Sequence, residues 1–243
     1  MSKRFFLAVT FALSTIGPAV QAAPIQVFNT DFNGALPGEI APGTATLTGV
    51  QGYSGLGAVG NQFSGNFLRS ATGNTVKLSL TGLPAHDTIS LEFLFAAIDS
   101  LDGTGIFPAG DFFKIVFDGA TLFSESFANA LPSQIQSYVP PAGVELARRV
   151  DLGFSGPGSF FTDSAYNLGA DPRFANFAHT GSTATIEFFI FGPGNQSLDD
   201  ESWAMDNLRV SVTTRGTVPE PASLALLGIG LAGLGAMRRR KVA

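Results

Sequence analysis

Leu91-Glu92-Phe93-Leu94-Phe95 is an almost continuously apolar run, and a similar run returns later in the chain as Ile186-Glu187-Phe188-Phe189-Ile190-Phe191. Short runs rich in aromatic and β-branched residues are typical of β-strands rather than of helices. A strand that is apolar at consecutive positions is expected to be covered on both faces. An acidic loop follows each run, at residues 100–103 and 197–200. The two runs therefore predict two central strands of a β-sandwich, with their following loops at one end.

The rest of the body supports an all-β fold. Strand-length segments separated by Gly, Pro, Asn and Asp occur at residues 25–28, 44–50, 75–80, 88–96, 112–117, 121–127, 183–191 and 207–212. Asp118-Gly119, between two of these segments, is a favourable two-residue hairpin turn. Residues 134–149 are the only stretch that could hold a short helix, and Pro140-Pro141 interrupts it. We therefore predict an all-β, jelly-roll-like β-sandwich, since a closed pair of sheets leaves few edges exposed.

Composition excludes several classes of site and partner. The 243 residues suffice for one sandwich or barrel domain, or for two small domains. The absence of Cys excludes disulfide bonds, Cys-ligated zinc, iron–sulfur clusters and thiol nucleophiles. Between residues 23 and 218 there are 8 Lys and Arg against 18 Asp and Glu, a net charge of −10. This balance argues against nucleic acid and anionic lipid as partners and is compatible with bound divalent cations.

The N-terminus has the residue order of a secretory signal peptide. Two cations at residues 3–4 precede an apolar run over residues 5–16, and small residues follow at 19–23. We predict cleavage after Ala22, because cleavage one residue later would leave Pro24 at the +1 position. The predicted organisation is a signal-peptide helix at 1–22, a β-sandwich ectodomain at 23–215 and a C-terminal sorting segment at 216–243.

The C-terminus contains three parts in a fixed order. Pro219-Glu220-Pro221 is followed by an uncharged apolar run over residues 222–237 and then by Arg238-Arg239-Arg240-Lys241. The run is near the lower limit for a transmembrane helix, and the basic cluster is expected to stay in the cytoplasm. The body would then face outward. A permanent single-pass anchor would carry the same physical signal, so that alternative stays open.

These three parts resemble the PEP-CTERM sorting signal of Gram-negative bacteria. The resemblance covers about the last 25 residues. It implies that an exosortase, a membrane protease-transpeptidase, recognises and removes the tail, so that the inner membrane holds the precursor only transiently. It also implies an exported protein at the cell surface or in the extracellular matrix, associated with extracellular polysaccharide.

Acidic residues cluster on two predicted loops. One Gly-rich loop carries Asp99, Asp102 and Asp111, and the other region carries Asp199, Asp200, Glu201 and Asp206. Calcium takes about six to eight hard oxygen ligands and needs acidic loops rather than one fixed spacing, and the EF-hand spacing is absent here. Calcium is therefore the predicted cofactor. The alternative is that these carboxylates are solvated turn formers that keep an exported protein soluble.

The end of the body, residues 200–210, is similar to the last strand of calcium-containing, carbohydrate-binding jelly rolls. In those proteins an Asp at the start of the closing strand sits beside the first strand. The resemblance implies that Asp206 would bind calcium together with Asp31 or Asn29.

Trp203, the only Trp, lies between the acidic cluster and the closing strand. Sugar-binding sites often use an exposed aromatic platform that stacks against the sugar ring. Trp203 is therefore the candidate ligand-binding residue. The alternative is that it fills the core at the end of the sandwich.

Signals for an enzyme are weak. His86 and His179 lack the paired spacing of a zinc site, although a Ser-His-Asp arrangement assembled from distant residues stays open. Glu92 and Glu187 occupy equivalent places in the two similar runs and could face each other as a glycosidase pair. We predict a non-enzymatic protein that is stabilised by calcium and binds polysaccharide. The alternatives are a polysaccharide-active hydrolase or lyase and a purely structural matrix protein.

Overall fold

A computed structural model describes residues 22–104, 110–154, 161–214, 228, 230 and 231. The body, Ala23–Thr214, forms one compact unit. The predicted signal-peptide helix lies outside the described residues, and so does the predicted transmembrane helix apart from Gly228, Gly230 and Leu231, which are helical. Within the described ranges we find no helix with the length and apolar character needed to cross a bilayer.

The body is built from fifteen strands and three short 3-10 turns, counted over the described ranges. The strands are β1 Ile25–Thr30, β2 Ile40–Ala41, β3 Thr46–Gly49, β4 Gly57–Ala58, β5 Asn61–Gln62, β6 Asn66–Ala71, β7 Thr75–Thr81, β8 Thr88–Asp99, β9 Phe112–Phe117, β10 Ala120–Ser126, β11 Glu145–Val150, β12 Asp163–Tyr166, β13 Phe177–Ala178, β14 Thr183–Phe191 and β15 Glu201–Thr213. The 3-10 turns are Gln51–Tyr53, Leu168–Ala170 and Pro172–Phe174. The all-β prediction is confirmed.

Two antiparallel sheets make up the sandwich. The first sheet has the order β11-β12-β8-β15-β6-β3, with β1 also paired to β15 and β13 to β8. The second sheet has the order β10-β9-β14-β7-β2, and β4 and β5 form a separate small hairpin. The two similar apolar runs therefore become one interior strand of each sheet, β8 in the first and β14 in the second.

Strand β8 is buried on both faces from Phe93 onward, whereas Ser90 and Glu92 on its outer face are half-buried and exposed. Leu91, Phe93 and Phe95 point into the main core between the sheets, whereas Leu94 and Ile98 belong to a second apolar cluster on the opposite face. The prediction that both faces are covered is confirmed for β8 from Phe93 onward, but not at Glu92. It is wrong for β14, whose alternate residues are half-buried or exposed. In the described part of the chain, the second apolar cluster covers only the first sheet.

Three local predictions are also decided by the structure. Asp118-Gly119 joins β9 to β10 with φ angles of 46° and 81°, as a primed hairpin turn requires. Residues 134–149 contain no helix, and their last part enters β11, which pairs with β12. Glu92 and Glu187 lie on different sheets, and the neighbours of each point into the core. Since both carboxylates therefore point outward on opposite faces, the glycosidase pair is not formed.

Candidate metal centre

Three carboxylates from distant parts of the sequence meet at one end of the sandwich. Asp102 follows β8, Asp111 precedes β9 and Glu201 begins β15. One carboxylate oxygen of each residue lies within 4.8 Å of the other two. We call these residues the acidic triad. Strands β8 and β15 belong to the first sheet and β9 to the second, so the acidic triad joins the two sheets.

Hydrogen bonds from backbone and amide groups position the acidic triad. The Asp102 N–H donates to Oδ2 of Asp111 over 2.6 Å, and the Asp111 N–H donates to the Asp102 carbonyl over 2.9 Å. Nε2 of Gln134 donates to Oδ1 of Asp102 over 2.6 Å. Nε2 of Gln196 donates to Oε1 of Glu201 over 2.7 Å. The carboxylates are therefore fixed by contacts within their own loops, at separations of 5 and 9 residues, and by Gln134 from a loop 32 residues away from Asp102.

The acidic triad is buried without a countercharge. Asp102, Asp111 and Glu201 are 5%, 3% and 0% exposed. Across the described ranges, no Lys or Arg forms an ion pair with any of the three. Burial raises the pKa of Asp102 and of Asp111, and burial together with the charges of Asp111 and Asp102 raises the pKa of Glu201 well above its usual range. Three negative charges are therefore unfavourable here unless protons or a cation neutralise them.

One oxygen of the acidic triad accepts no hydrogen bond from the described residues while the three groups are ionised. Oε2 of Glu201 is enclosed, whereas Oε1 accepts from Gln196, and a protonated Glu201 would instead donate to Asp111. A buried polar atom without a partner costs free energy comparable to a lost hydrogen bond. A divalent cation held by the three carboxylates would offset two of their three negative charges and would contact this oxygen. Because all the donors are hard oxygens, the residues fit calcium better than a metal that prefers sulfur or imidazole.

Gly192 is part of this site, although the sequence analysis did not select it. A Cβ atom at this position would lie 2.6 Å from Oδ1 of Asp111 and 2.8 Å from the Gly110 carbonyl oxygen. The backbone that follows β14 therefore approaches Asp111 as closely as only glycine allows. Gln134 and Gln196 were missed as well, because an isolated Gln in a loop gives no signal in a single sequence.

Asp99 lies near the acidic triad but belongs to another buried network. It ends β8 with a φ angle of 59°, and its backbone N–H donates to Oδ1 of Asp163 over 3.0 Å. The charges of Asp99 and Asp163 act on the guanidinium of Arg69, which is buried. Of the three carboxylates that the sequence places on this loop, Asp102 and Asp111 belong to the acidic triad and Asp99 lies outside it.

Asp206 and Asp31 are brought close together by the pairing of β1 with β15. Asp206 is buried, and its carboxylate accepts from the N–H groups of Ser64 and Asn207 over 3.1 and 2.7 Å. Burial is the main cause that raises the pKa of Asp206 to about 7, and the charge of Asp31 adds to it. Within the described ranges, no further acidic residue or His completes a group of three with this pair. Calcium binding by Asp206 and Asp31 stays a prediction.

Trp203 does not form the exposed platform that was the candidate for sugar binding. Its side chain is 0% exposed, and its ring centroid lies 5.3 Å from that of Phe113 in the core. It is buried because β15 is paired on both sides at this position, with Ala97 of β8 and Ser70 of β6, while the second sheet covers its inner face. The expectation of an exposed Trp is wrong, and the alternative of a core residue is supported.

Comparison with known proteins identifies the C-terminal tail. Residues 217–241 match the family model described as the PEP-CTERM protein-sorting motif. This match contains all six of the predicted sorting residues, which lie outside the described residues: Pro219, Glu220, Pro221, Arg238, Arg239 and Arg240.

The body gives no comparable match. No curated protein is significantly similar to the chain. Among solved structures, the chain is similar to a Paenibacillus sp. cycloisomaltooligosaccharide glucanotransferase complexed with cycloisomaltoheptaose, with 18% identity and a TM-score of 0.29. The match covers 74% of this chain and 18% of that enzyme, so the chain spans less than a fifth of its length. A likeness of this degree carries no conclusion about fold or function.

Proposed function

Because residues 217–241 are a PEP-CTERM protein-sorting motif, we propose that this chain is an exported, non-enzymatic protein whose tail is processed by an exosortase. The signal peptide at 1–22 would direct export, and the inner membrane would hold the precursor transiently through the C-terminal helix. The processed body would then be a jelly-roll-like module at the cell surface or in the extracellular matrix. The compact unit Ala23–Thr214 agrees with this division of the chain.

The proposed task of the acidic triad is to bind calcium and stabilise this module. The observation that carries the proposal is the enclosed Oε2 of Glu201, which has no donor in the described part of the chain and lies beside two further buried carboxylates. Extracellular modules bind calcium with dissociation constants of about 10⁻⁴–10⁻³ M, which suits an exported protein. Because the carboxylates are buried, the ion would join the two sheets and would not contact a sugar directly.

The melting temperature of the full chain in mild detergent tests this role. We expect calcium to raise it by several degrees over the value in a chelator, because the ion binds the folded state only. Magnesium should raise it less, since it requires near-ideal octahedral geometry and gives up water reluctantly. Equal melting temperatures in chelator and at a calcium concentration of about 100 times the expected dissociation constant, on the order of 10–100 mM, would contradict the proposal.

Polysaccharide binding is a second candidate function, and an aromatic patch on the outer face of the second sheet favours it. The rings of Phe112 and Phe189 lie 5.8 and 6.1 Å from that of Phe191, which is 43% exposed. Nζ of Lys114 lies 5.4 Å from the Phe191 ring. Exposed aromatic faces can stack on sugar rings, so this patch offers the platform that Trp203 does not. The negative body favours an uncharged polysaccharide.

Phe191→Ala is expected to lower retention of the full chain on an uncharged polysaccharide severalfold, because it removes the centre of the patch. The melting temperature should change little, since the side chain is exposed. Val59→Ala is the matched control, because Val59 is a 97% exposed apolar residue between β4 and β5. Equal retention of both variants and the wild type would remove this patch as the binding surface.

A further inference from the structure

The two histidines of the chain meet at the end of the sandwich opposite the acidic triad. His86 precedes β8, whereas Asp102 follows it, and a twelve-residue strand spans about 40 Å. His179 lies between β13 and β14. Nε2 of His86 is 2.7 Å from Nδ1 of His179, and the two rings meet edge to edge, with centroids 4.9 Å apart and planes inclined by 26°. We call these residues the histidine pair.

The outer nitrogen of each ring faces oxygen atoms that can only accept. Nδ1 of His86 is 2.6 Å from the Pro84 carbonyl oxygen. Nε2 of His179 is 3.1 Å from the Thr183 carbonyl oxygen and 3.3 Å from Oδ2 of Asp118. A carbonyl or carboxylate oxygen has no hydrogen to give, so both outer nitrogens must carry one. The contacts therefore fix the tautomer of each ring.

With the outer nitrogens protonated, one proton remains to be placed between the inner nitrogens. Without it, two lone pairs would face each other at 2.7 Å, and with two protons, two N–H groups would collide. A single proton makes the contact an ordinary, charge-assisted hydrogen bond. We infer that His86 and His179 share one proton, so that the histidine pair carries one positive charge.

The surroundings of the histidine pair are suited to a single positive charge. His86 is buried, and the His179 side chain is mostly enclosed, with the ring of Phe117 edge-on to it at 5.3 Å. The carboxylate of Asp118 lies at the outer nitrogen of His179 and balances the charge. Asp87 is the other acidic residue on the contacting segments, and its carbonyl accepts from the His179 N–H over 3.2 Å.

The shared proton links the two sheets at this end of the sandwich. His86 leads into β8 of the first sheet, whereas Asp118 and Thr183 belong to the second sheet and its turns. The hydrogen bond between the inner nitrogens therefore connects the two sheets at this end. This device is independent of the acidic triad at the other end.

Nitrogen NMR of the full chain, labelled with ¹⁵N-histidine and made without a histidine tag, tests the inference. The chain has only 2 His, so all signals come from the histidine pair. We expect Nδ1–H on His86, Nε2–H on His179 and scalar coupling between the two inner nitrogens. The opposite tautomer on either ring, or the absence of coupling at every pH, would overturn the inference.

A double-mutant cycle gives an independent readout of the same bond. At the pH of maximum coupling, His86→Gln and His179→Gln should each lower the melting temperature, and the double variant should lower it by little more than either single change. The result should be the same in calcium and in chelator, which separates it from the calcium proposal. Fully additive effects would overturn the inference. The labelled wild type decides the question even where a variant fails to fold.

Discussion

Glu201→Gln is expected to abolish the calcium-dependent rise in melting temperature while leaving the fold intact. The amide lacks the negative charge that a calcium ligand supplies, but it keeps the size of the side chain. At a calcium concentration of about 100 times the dissociation constant, the wild type should gain about 2.7 kcal/mol. For a body of this size, that is a difference of about 5–10 °C between calcium and chelator.

In chelator, the direction of the change in melting temperature can also be predicted. Without a cation, Glu201 is buried beside two other carboxylates, and the burial and their charges raise its pKa. The uncharged, protonated form is therefore favoured, and an amide resembles it because it is uncharged and can donate to a neighbouring carboxylate. The variant should therefore melt at the same temperature as the wild type in chelator, or above it.

Two matched variants identify the residues responsible. Asp199→Asn removes an exposed carboxylate close in sequence to Glu201 and should keep the full calcium response. Asp206→Asn should also keep it if the ion lies at the acidic triad. Loss of the response in Asp206→Asn, with retention in Glu201→Gln, would place the ion at Asp206 and Asp31 and contradict our assignment.

Trp203→Ala is expected to destabilise the body by about 3–5 kcal/mol, the usual cost of removing a large buried aromatic side chain. Trp203 is fully enclosed on a central strand, and its ring contacts Phe113 of the opposite sheet. The substitution would leave a cavity between the two sheets. Chemical denaturation of the full chain in chelator measures this cost without a contribution from calcium.

Trp203→Phe is the conservative comparison. It keeps an aromatic contact with Phe113 and removes the indole N–H, which has no acceptor within the described ranges. We expect a smaller loss of stability than for alanine. Leu47→Ala, on the half-exposed edge strand β3, should cost less than about 1 kcal/mol. A cost for Trp203→Ala as small as that of Leu47→Ala would contradict the buried position.

The sequence was sufficient to predict strands, because the runs around Phe93 and Phe188 have strand length and strand composition. It was not sufficient to predict which strand is covered on both faces. Residues 51–67 and 152–154 supply the aromatic cluster that covers the outer face of β8, and nothing in the run of β14 shows that Phe189 and Phe191 lack such a cover. Whether the outer face of a strand is buried therefore depends on distant loops and not on the sequence of the strand itself.

The sequence was sufficient to predict that the candidate site lies on acidic loops, but not which carboxylates come together there. Asp102 and Glu201 meet because β8 pairs with β15, and Asp111 joins them from the opposite sheet. Trp203 was misjudged because its acidic neighbours suggested an exposed position, whereas Glu201 and Asp206 are themselves buried. The histidine pair joins residues 93 positions apart, so spacing along the chain gave no sign of it.

The most direct test of our central claim is a calorimetric titration of calcium into the cation-free full chain, in parallel with Glu201→Gln and Asp199→Asn. We expect the wild type and Asp199→Asn to bind with a dissociation constant of about 10⁻⁴–10⁻³ M. Glu201→Gln should lose this binding. Absence of binding to the wild type at millimolar calcium, or equal binding by Glu201→Gln, would contradict a calcium-stabilised β-sandwich centred on the acidic triad.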